Sequence, residues 1–171
     1  MIHRRRRRPR VEQLETRRML AYDISNLGQD AILGDMKGDW LVYGVDEDDQ
    51  GETDLNGDGD VDDRVLHVHQ LSTGTTTNLS LARTNARVSV VDDLVVFLVD
   101  ERDQASSDLN GDGDTSDDVL HVYDAISGQV TNTGIESGNN RFKLVGDLIA
   151  LLVDEYDQGG VDLNGDGDTD D

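Results

Sequence analysis

The chain has 171 residues, of which 35% are hydrophobic and 4% aromatic, so it can build at most a domain with a thin core. Its net charge is −22, and because eight of its 15 basic residues are arginines within positions 1–20, residues 21–171 carry a charge of −28 and repel one another unless cations bind. Cysteine is absent, which excludes disulfides and thiolate metal sites, and no apolar run approaches the roughly 18 residues of a membrane-spanning helix.

Residues 1–22 differ in composition from the rest, and we expect them to form a disordered, Arg-rich leader. The apolar segment of an ordinary secretory signal is missing, since Met19-Leu20-Ala21 leads directly into Tyr22-Asp23. The run Arg4 to Arg8 also suits a nucleic-acid-binding arm. However, a polyanion would repel the acidic body, and no aromatic stacking platform accompanies the arm, so we expect no nucleic-acid partner.

The segment Leu14-Glu15-Thr16-Arg17-Arg18-Met19-Leu20 follows the arginine run. It resembles the Leu-Glu-x-Arg-x-Met-Leu type of box found on Arg-rich leaders of large exported or surface proteins of certain bacteria. The resemblance is confined to the leader. It implies that the protein is secreted or located at the cell surface.

An internal repeat organises the rest of the chain. The segment Asp54-Leu55-Asn56-Gly57-Asp58-Gly59-Asp60 recurs at Asp108 to Asp114 and at Asp162 to Asp168, which gives a period of 54 residues. The preceding triplet Val45-Asp46-Glu47 recurs with the same period. We therefore divide the chain into β repeats over residues 28–81 and 82–135 and an incomplete β repeat over residues 136–171.

Each repeat predicts a β-meander with one long acidic loop between its second and third strands. The strands predicted in the second copy are 87–91, 94–99, 119–123 and 130–135. The run Leu94 to Val99 is apolar throughout, which indicates burial on both faces. The first turn falls at Asp92-Asp93 in this copy, at Gly38-Asp39 in the first and at Gly146-Asp147 in the third.

Tandem four-stranded antiparallel units of about 40 to 50 residues are typical of propeller blades. We therefore predict an all-β, propeller-like fold with two full blades and a truncated third. Because a closed propeller needs at least about four blades, we interpret the chain as the N-terminal part of a longer repeat protein or a truncated reading frame. Its open sheet edges would favour self-association.

The repeated loops have the composition of calcium sites, because Ca²⁺ takes about six to eight oxygen ligands and a short loop supplies them only by alternating oxygen-bearing side chains. Asp54, Asn56 and Asp58 alternate in this way, Gly59 permits a sharp turn, and Asp60 is placed to offer its carbonyl. The candidate metal ligands in the three loops are Asp54, Asn56, Asp58, Asp60, Asp62, Asp63, Asp108, Asn110, Asp112, Asp114, Asp117, Asp162, Asn164, Asp166, Asp168, Asp170 and Asp171. Glu47, Asp49 and their counterparts are candidates for a further ligand.

Other interpretations compete with calcium. A single acidic run is commonly a solvated turn, but three runs with identical spacing make chance a poor explanation. Mg²⁺ dehydrates reluctantly and rarely takes an all-protein cage. His67 and His69 share one strand face, as a zinc site requires, although such histidines are more often half-exposed strand residues. Trp40 and Phe97 are predicted to lie in the core.

The loop resembles the first half of an EF-hand or dockerin loop, and equally the strand-flanked Asp-x-Asp-x-Asp-Gly-x-x-Asp loops of integrin-α and FG-GAP propeller blades. Val65 and Val119 stand where an EF-hand has its bidentate Glu, and Ser116 departs from the FG-GAP pattern. The strand-like flanks favour the β-flanked family. The resemblance implies calcium-binding loops on propeller blades.

The chain lacks a Gly-x-Ser-x-Gly elbow, a phosphate loop and a His-Glu-x-x-His helix, so we do not expect an enzyme. We expect a secreted or cell-surface calcium-binding β-repeat protein with a structural or adhesive role and a protein or polysaccharide partner. Calcium would tie down long loops that otherwise cost entropy. The alternative is a fragment of a secreted propeller enzyme whose active site lies in missing blades.

Overall fold

A computed structural model of the chain describes residues 26–83, 88–137, 142–145 and 148–170. These residues form antiparallel sheets, and no helix among them is long and apolar enough to cross a membrane. The predicted leader at 1–22 and the predicted turn at Gly146-Asp147 lie outside the described residues. The all-β prediction is confirmed for the part of the chain that is described.

Three sheets follow one another along the sequence, each with its strands in chain order. Sheet 1 contains β1 (Ala31–Lys37), β2 (Trp40–Asp46), β3 (Arg64–Gln70) and β4 (Thr75–Ala82). Sheet 2 contains β5 (Ser89–Val91), β6 (Leu94–Asp100), β7 (Asp118–Asp124) and β8 (Gln129–Glu136). Sheet 3 contains β9 (Phe142–Val145) and β10 (Leu148–Leu151). The predicted meander is confirmed in sheets 1 and 2, with an acidic loop between the second and third strands of each.

Sheets 1 and 2 share their pairing register as well as their strand order. Val45 pairs with Val65 in sheet 1, and Val99 pairs with Val119 in sheet 2. The fourth strand carries a bulge in both sheets, at Ser80 with a φ of 54° and at its equivalent Gly134 with a φ of 67°. The left-handed region is easy for glycine and costly for serine. In sheet 1 the Asn78 side chain steadies this conformation by accepting the Ser80 N–H at 2.7 Å.

The sheets stack face to face, and β6 supplies apolar side chains to both interfaces. On one face, Phe97 and its neighbours pack with Trp40 and Val42 of sheet 1. On the other face, Val96 and Leu98 pack with Phe142 of sheet 3. The predicted two-sided burial of this strand is confirmed, as is the core position of Trp40 and Phe97. Because successive sheets keep the same strand order, the acidic loops follow one another along the stack.

Candidate metal centre

A buried glutamate organises each acidic loop. Glu47 is the first residue after β2, and both it and its equivalent Glu101 are 0% exposed. Oε1 of Glu101 accepts the N–H groups of Leu109 at 2.6 Å and Asn110 at 3.3 Å. Its Oε2 accepts the N–H of Asp117 at 3.2 Å. The carboxylate therefore fixes both ends of the loop, and Glu47 makes the equivalent three contacts in the first repeat.

The first aspartate of each loop closes a tight turn. The two carboxylate oxygens of Asp54 accept the N–H groups of Gly57 at 2.6 Å and Gly59 at 3.1 Å. Gly59 has a φ of 105°, a value that L side chains rarely adopt, so the expected sharp turn is present. Asp108 and Asp162 make the same pair of contacts in their own loops. These side-chain-to-backbone hydrogen bonds curl the chain into the same turn in each of the three loops.

Carboxylates from both ends of the loop converge in two acidic triads that can hold a metal ion. The first triad is Glu47, Asp60 and Asp63, and the second is Glu101, Asp114 and Asp117. In each triad one oxygen of every residue lies within 4.8 Å of one oxygen of the other two. Asp63 and Asp117 are only 6% and 7% exposed, whereas the third member of each triad, Asp60 or Asp114, is exposed. Each triad therefore joins two buried carboxylates to one that is open to solvent.

Other predicted ligands lie outside the triads. Asp54 and Asp108 use their carboxylates in the turns, and Asp62 and Asp49 are exposed. Asn56 lies next to the first triad, because its Nδ2 donates to Asp63 Oδ2 at 2.8 Å. Its equivalent Asn110 contacts Asp117 Oδ2 at 2.9 Å. Asp58 and Asp112 are half-buried and likewise lie outside the triads.

The third loop is less complete in the described part of the chain. Glu155 is 3% exposed, and its Oε1 accepts the N–H groups of Leu163 and Asn164 at 2.7 and 3.0 Å. Asp166, Asp168 and Asp170 are exposed, and no acidic triad forms among the described residues of this loop. The equivalent of Asp63 and Asp117 is Asp171, which lies outside the described residues.

The buried aspartates disfavour their own negative charge. Burial, reinforced by the carboxylates of Asp58, Asp103 and Asp60, raises the pKa of Asp63 to about 7 against the opposing hydrogen bond from Asn56. Burial likewise raises the pKa of Asp117 to about 7. A proton or a metal ion must compensate a buried carboxylate, and a divalent ion can compensate several at once. A cation held by the triads would therefore relieve the cost of ionising Asp63 and Asp117.

One further acid pair distinguishes the second repeat from the first. In sheet 1, Arg64 Nε donates to Asp46 Oδ1 at 2.7 Å in an ion pair. The equivalent positions in sheet 2 are Asp118 and Asp100, which are paired across the strands. Burial, and then Asp100, raises the pKa of Asp118 to about 7. Repeat 2 thus has two carboxylates facing each other across its strands where repeat 1 has an ion pair, and Arg102 opposes the rise in the pKa of Asp118 only in part.

His67, His69 and His121, the histidines in the described part of the chain, are buried strand residues and not half-exposed ones. His67 and His69 are 3% and 7% exposed. His67 stacks on Tyr43, with ring centroids 5.8 Å apart, and its Nδ1 lies 3.2 Å from the carbonyl oxygen of Val65. His69 Nδ1 lies 2.8 Å from Thr76 Oγ1. The potential metal-binding groups among the described residues contain no histidine. Sequence reasoning underestimated the burial because the apolar neighbours alternate with these polar positions on a strand that is covered on both sides.

The raised pKa values predict how the cation-free protein responds to pH. The folded pKa of about 7 at Asp63, Asp117 and Asp118 exceeds the ordinary value of 3.8. The stability from these groups is therefore complete below pH 3.8 and is lost as the pH rises through 7. Burial of His67 and His121 acts in the opposite sense, but only below their ordinary pKa of 6.5. We expect the melting temperature of the chelator-treated protein to fall by a few degrees between pH 6.5 and 8.

The control for this pH dependence is the double variant Asp63→Asn, Asp117→Asn. It retains the shape of both side chains but removes their titration, so its melting temperature should change much less over the same interval. Equal slopes for the parent and the variant in differential scanning calorimetry would contradict the raised pKa values at these two positions.

No known protein family, curated protein or solved structure matches the chain. The function of the protein therefore has to be inferred from its own residues: three repeated loops, each framed by a buried glutamate, of which two bring three carboxylates together.

Proposed function

We propose that the protein is a calcium-binding β-repeat protein of the cell surface or the extracellular space, with a structural or adhesive role. The observation that carries this proposal is the repeated acidic triad, in which two of the three carboxylates are almost fully buried. Burying like charges together is unfavourable without a cation. The repetition of the same arrangement 54 residues later supports a site over an accidental cluster.

Calcium suits these loops better than magnesium. Each loop offers several carboxylate and amide oxygens on a glycine-containing backbone, and Ca²⁺ accepts irregular shells of about six to eight oxygens. Mg²⁺ demands near-octahedral geometry and keeps several waters, so it is poorly served by such a loop. Loops of modest affinity fill at extracellular calcium concentrations and stay empty in most cytoplasms, which favours an extracellular location.

A structural role is supported by the hydrogen bonds that the buried glutamates accept from the loop backbone. Glu47 and Glu101 hold backbone N–H groups at both ends of their loops, so an ion bound beside them would lock the loop onto its sheet. Face-to-face stacking of meanders in one register is also what adjacent propeller blades do, and it supports blade-like repeats. We infer that calcium rigidifies a stack of blades that presents its surface to a protein or polysaccharide partner.

Calorimetric titration of the chelator-treated chain with Ca²⁺ tests the proposal. We expect about one ion per loop for the parent, and no binding for the triple variant Asp60→Ala, Asp114→Ala, Asp168→Ala, because the changes remove one triad carboxylate from each of loops 1 and 2 and the equivalent carboxylate from loop 3. Titration with Mg²⁺ should give much weaker binding.

A second triple variant, Asp30→Ala, Asp48→Ala, Glu52→Ala, controls for charge. It also removes three carboxylates, all exposed and all outside the repeated motif. It should bind calcium like the parent. The proposal fails if the parent binds no calcium, or if the two triple variants lose binding to the same extent.

A further inference from the structure

Both interfaces between sheets are built from the same positions of the repeat. Each sheet turns a leading face towards the preceding repeat and a trailing face towards the following one. The leading faces are Val88, Val90, Val95 and Phe97 in sheet 2 and the equivalent Phe142, Leu144, Ile149 and Leu151 in sheet 3. The trailing face of sheet 1 is Trp40, Val42, Leu66 and Val68, and the last three are equivalent to Val96, Leu120 and Val122 of sheet 2. The same contact therefore forms twice within one chain.

A polar contact recurs at both interfaces as well. Asn56 Nδ2, in the loop of repeat 1, donates to the carbonyl oxygen of Asp103 in repeat 2 at 3.0 Å. Asn110 Nδ2 donates to the carbonyl oxygen of Asp157 in repeat 3 at the same distance of 3.0 Å. Apolar packing and hydrogen bonding thus hold consecutive repeats in one repeated orientation.

The end of the last strand of a sheet also contacts the following repeat. Ala82, the last residue of β4, donates its N–H to Oε1 of Gln104 at 2.7 Å. The next residue, Arg83, forms an antiparallel bridge with Val99 of β6. The end of β8 makes the first of these contacts with repeat 3. Repeats 2 and 3 thus each receive the strand end of the sheet before them.

In repeat 1 the residues before β2 take the place of such a strand end. Asp30 donates its N–H to Oε1 of Gln50 at 2.8 Å, which is the contact that the end of β4 makes with repeat 2. Ala31 pairs with Val45, which is the equivalent of the second contact. Repeat 1 therefore has the strand end that a preceding sheet would supply, while the described part of the chain contains no sheet on this side of it.

The leading face of sheet 1 is apolar and open. Met36 stands at the position of Val90, but it is 60% exposed whereas Val90 is 4% exposed. Leu33, which pairs with Tyr43 on the same face, is 67% exposed. A hollow of about 200 Å³ is lined by Leu27, Gln29, Ala31, Leu33, Leu41 and Tyr43. It is smaller than the roughly 300 to 1,000 Å³ of small-molecule sites, so it suits an inserted apolar side chain better than a ligand.

The trailing face of sheet 3 is apolar and open in the same way. Leu148 stands at the position of Trp40, but it is 68% exposed whereas Trp40 is 8% exposed. Val145 pairs with Leu148 and is 64% exposed. Ala150 is exposed as well, although it stands at the position of the fully buried Val42. The two ends of the stack therefore expose the two halves of the contact that is buried inside it.

The composition of the two open faces also favours contact between them. The exposed residues just named on both faces are all apolar, whereas residues 21–171 carry a charge of −28. Contact between these faces removes apolar surface from water and joins the parts of two chains that repel each other least. When two complementary surfaces lie at different places on one molecule, they produce head-to-tail association, which stays open unless the geometry closes a ring.

We propose that the leading face of sheet 1 binds a second copy of this chain, which docks on it with the trailing face of its sheet 3. The contact between chains then repeats the contact between consecutive repeats. In the described part of the chain, sheet 3 has two strands and brings no fourth-strand end, and Asp30 and Ala31 of the receiving chain already occupy that place. The stack of sheets thereby continues from one chain into the next. This association needs no bound ion and goes beyond the proposed calcium-binding function.

Sedimentation equilibrium of the 171-residue chain tests the docking. The buffer contains a chelator, so that calcium has no part in the result, and about 1 M NaCl, which shortens the Debye length to about 3 Å and screens the repulsion between acidic chains. We expect the average mass to keep rising with protein concentration, because every assembly leaves one face of each kind free. A chain that stays monomeric up to about 1 mM overturns the proposal.

Met36→Glu and Leu148→Glu each place a carboxylate on one of the two faces. Burying an unpaired carboxylate in a contact is strongly unfavourable, so each variant should raise the Kd of association at least about tenfold. Ile126→Glu is the matched control, since Ile126 is 72% exposed in the turn between β7 and β8, belongs to neither face, and gains the same charge. It should change the Kd less than about twofold, and because all three positions are exposed, the three monomers should melt within a few degrees of the parent.

Mixing the two face variants distinguishes head-to-tail docking from other arrangements. Met36→Glu keeps an intact trailing face and Leu148→Glu keeps an intact leading face, so their equimolar mixture should form dimers with the affinity of the parent and nothing larger. If only one of the two variants weakens association, or if the mixture stays monomeric, the head-to-tail contact is wrong. If neither variant differs from Ile126→Glu, the chains associate through their sheet edges or other surfaces, and the proposal is overturned.

Discussion

Replacing Glu101 with alanine should destabilise the cation-free protein by roughly 3 to 5 kcal/mol. The Glu101 side chain is 0% exposed and accepts N–H groups from Leu109, Asn110 and Asp117. Each buried donor left without a partner costs about 1 to 3 kcal/mol, and the vacated space adds a cavity cost. Removing one negative charge relieves some repulsion in the triad, and this offset is small at pH 6, where Asp117 is largely protonated because burial raises its pKa to about 7. Urea unfolding of the chelator-treated protein measures the loss.

Glu52→Ala is the matched control for this change. Glu52 lies in the turn before the first loop and is exposed, so its replacement should alter the unfolding free energy by less than about 0.5 kcal/mol. Glu101→Gln should fall between the two, because it keeps the volume of the side chain but replaces one acceptor oxygen with a donor. Equal midpoints for Glu101→Ala and Glu52→Ala would show that the glutamate does not frame the loop.

Much of the fold could be predicted from the sequence because the copies of the repeat can be compared with one another. A pattern such as Leu94 to Val99 is ambiguous in one copy, but two further copies with the same flanks mark it as a strand followed by a long loop. Both meanders and the position of the acidic loop were predicted correctly on this basis. The predicted blade-like repeats imply stacked sheets, but the side chains that meet at each interface were not predicted, because an unbroken apolar run indicates that two faces are buried without identifying what covers each.

The role of the buried glutamate was only partly predicted. Glu47 was a candidate for a further ligand, on the same footing as Asp49, because an acidic residue at the end of a strand is usually exposed. Strand alternation carried a signal that would have separated them, since Glu47 continues the face of Tyr43 and Val45. If Glu47 is recognised as the last residue of this buried face, its carboxylate is predicted to lie buried beside the acidic loop.

The contacts between neighbouring repeats could not be predicted by considering one repeat at a time. Asn56 and Asp103 are 47 residues apart, as are Asn110 and Asp157, so each contact joins different copies. The repeated Asp-Gln pair at 103–104 and 157–158 was visible in the sequence, yet its function depends on how the sheets stack. Periodicity shows that a residue is repeated but does not show whether it serves its own repeat or its neighbour.

Phe97→Ala should produce the other large effect. We expect it to lower the free energy of unfolding by about 3 to 5 kcal/mol and to loosen mainly the interface between sheets 1 and 2. Phe97 is 0% exposed, packs in the cluster between sheets 1 and 2, and stacks on His121 with ring centroids 5.9 Å apart. Truncating a buried aromatic ring forfeits its transfer free energy and leaves a cavity. The Ala82 amide of sheet 1 donates to Gln104 of repeat 2, so we expect its hydrogen exchange to become faster when the packing between sheets 1 and 2 loosens.

Leu98→Ala provides the matched control on the opposite face of the same strand. Leu98 is 2% exposed and packs towards sheet 3. Its truncation should lower the free energy of unfolding by about 2 to 5 kcal/mol and loosen the interface between sheets 2 and 3 instead. Its marker is the Glu136 amide, which donates to Gln158. Neighbouring side chains on a strand face opposite ways. Phe97→Ala should therefore accelerate hydrogen exchange more at the Ala82 amide, and Leu98→Ala more at the Glu136 amide. If each variant accelerates hydrogen exchange at the two amides equally, the sheets unfold as one unit and the two interfaces between them do not open independently.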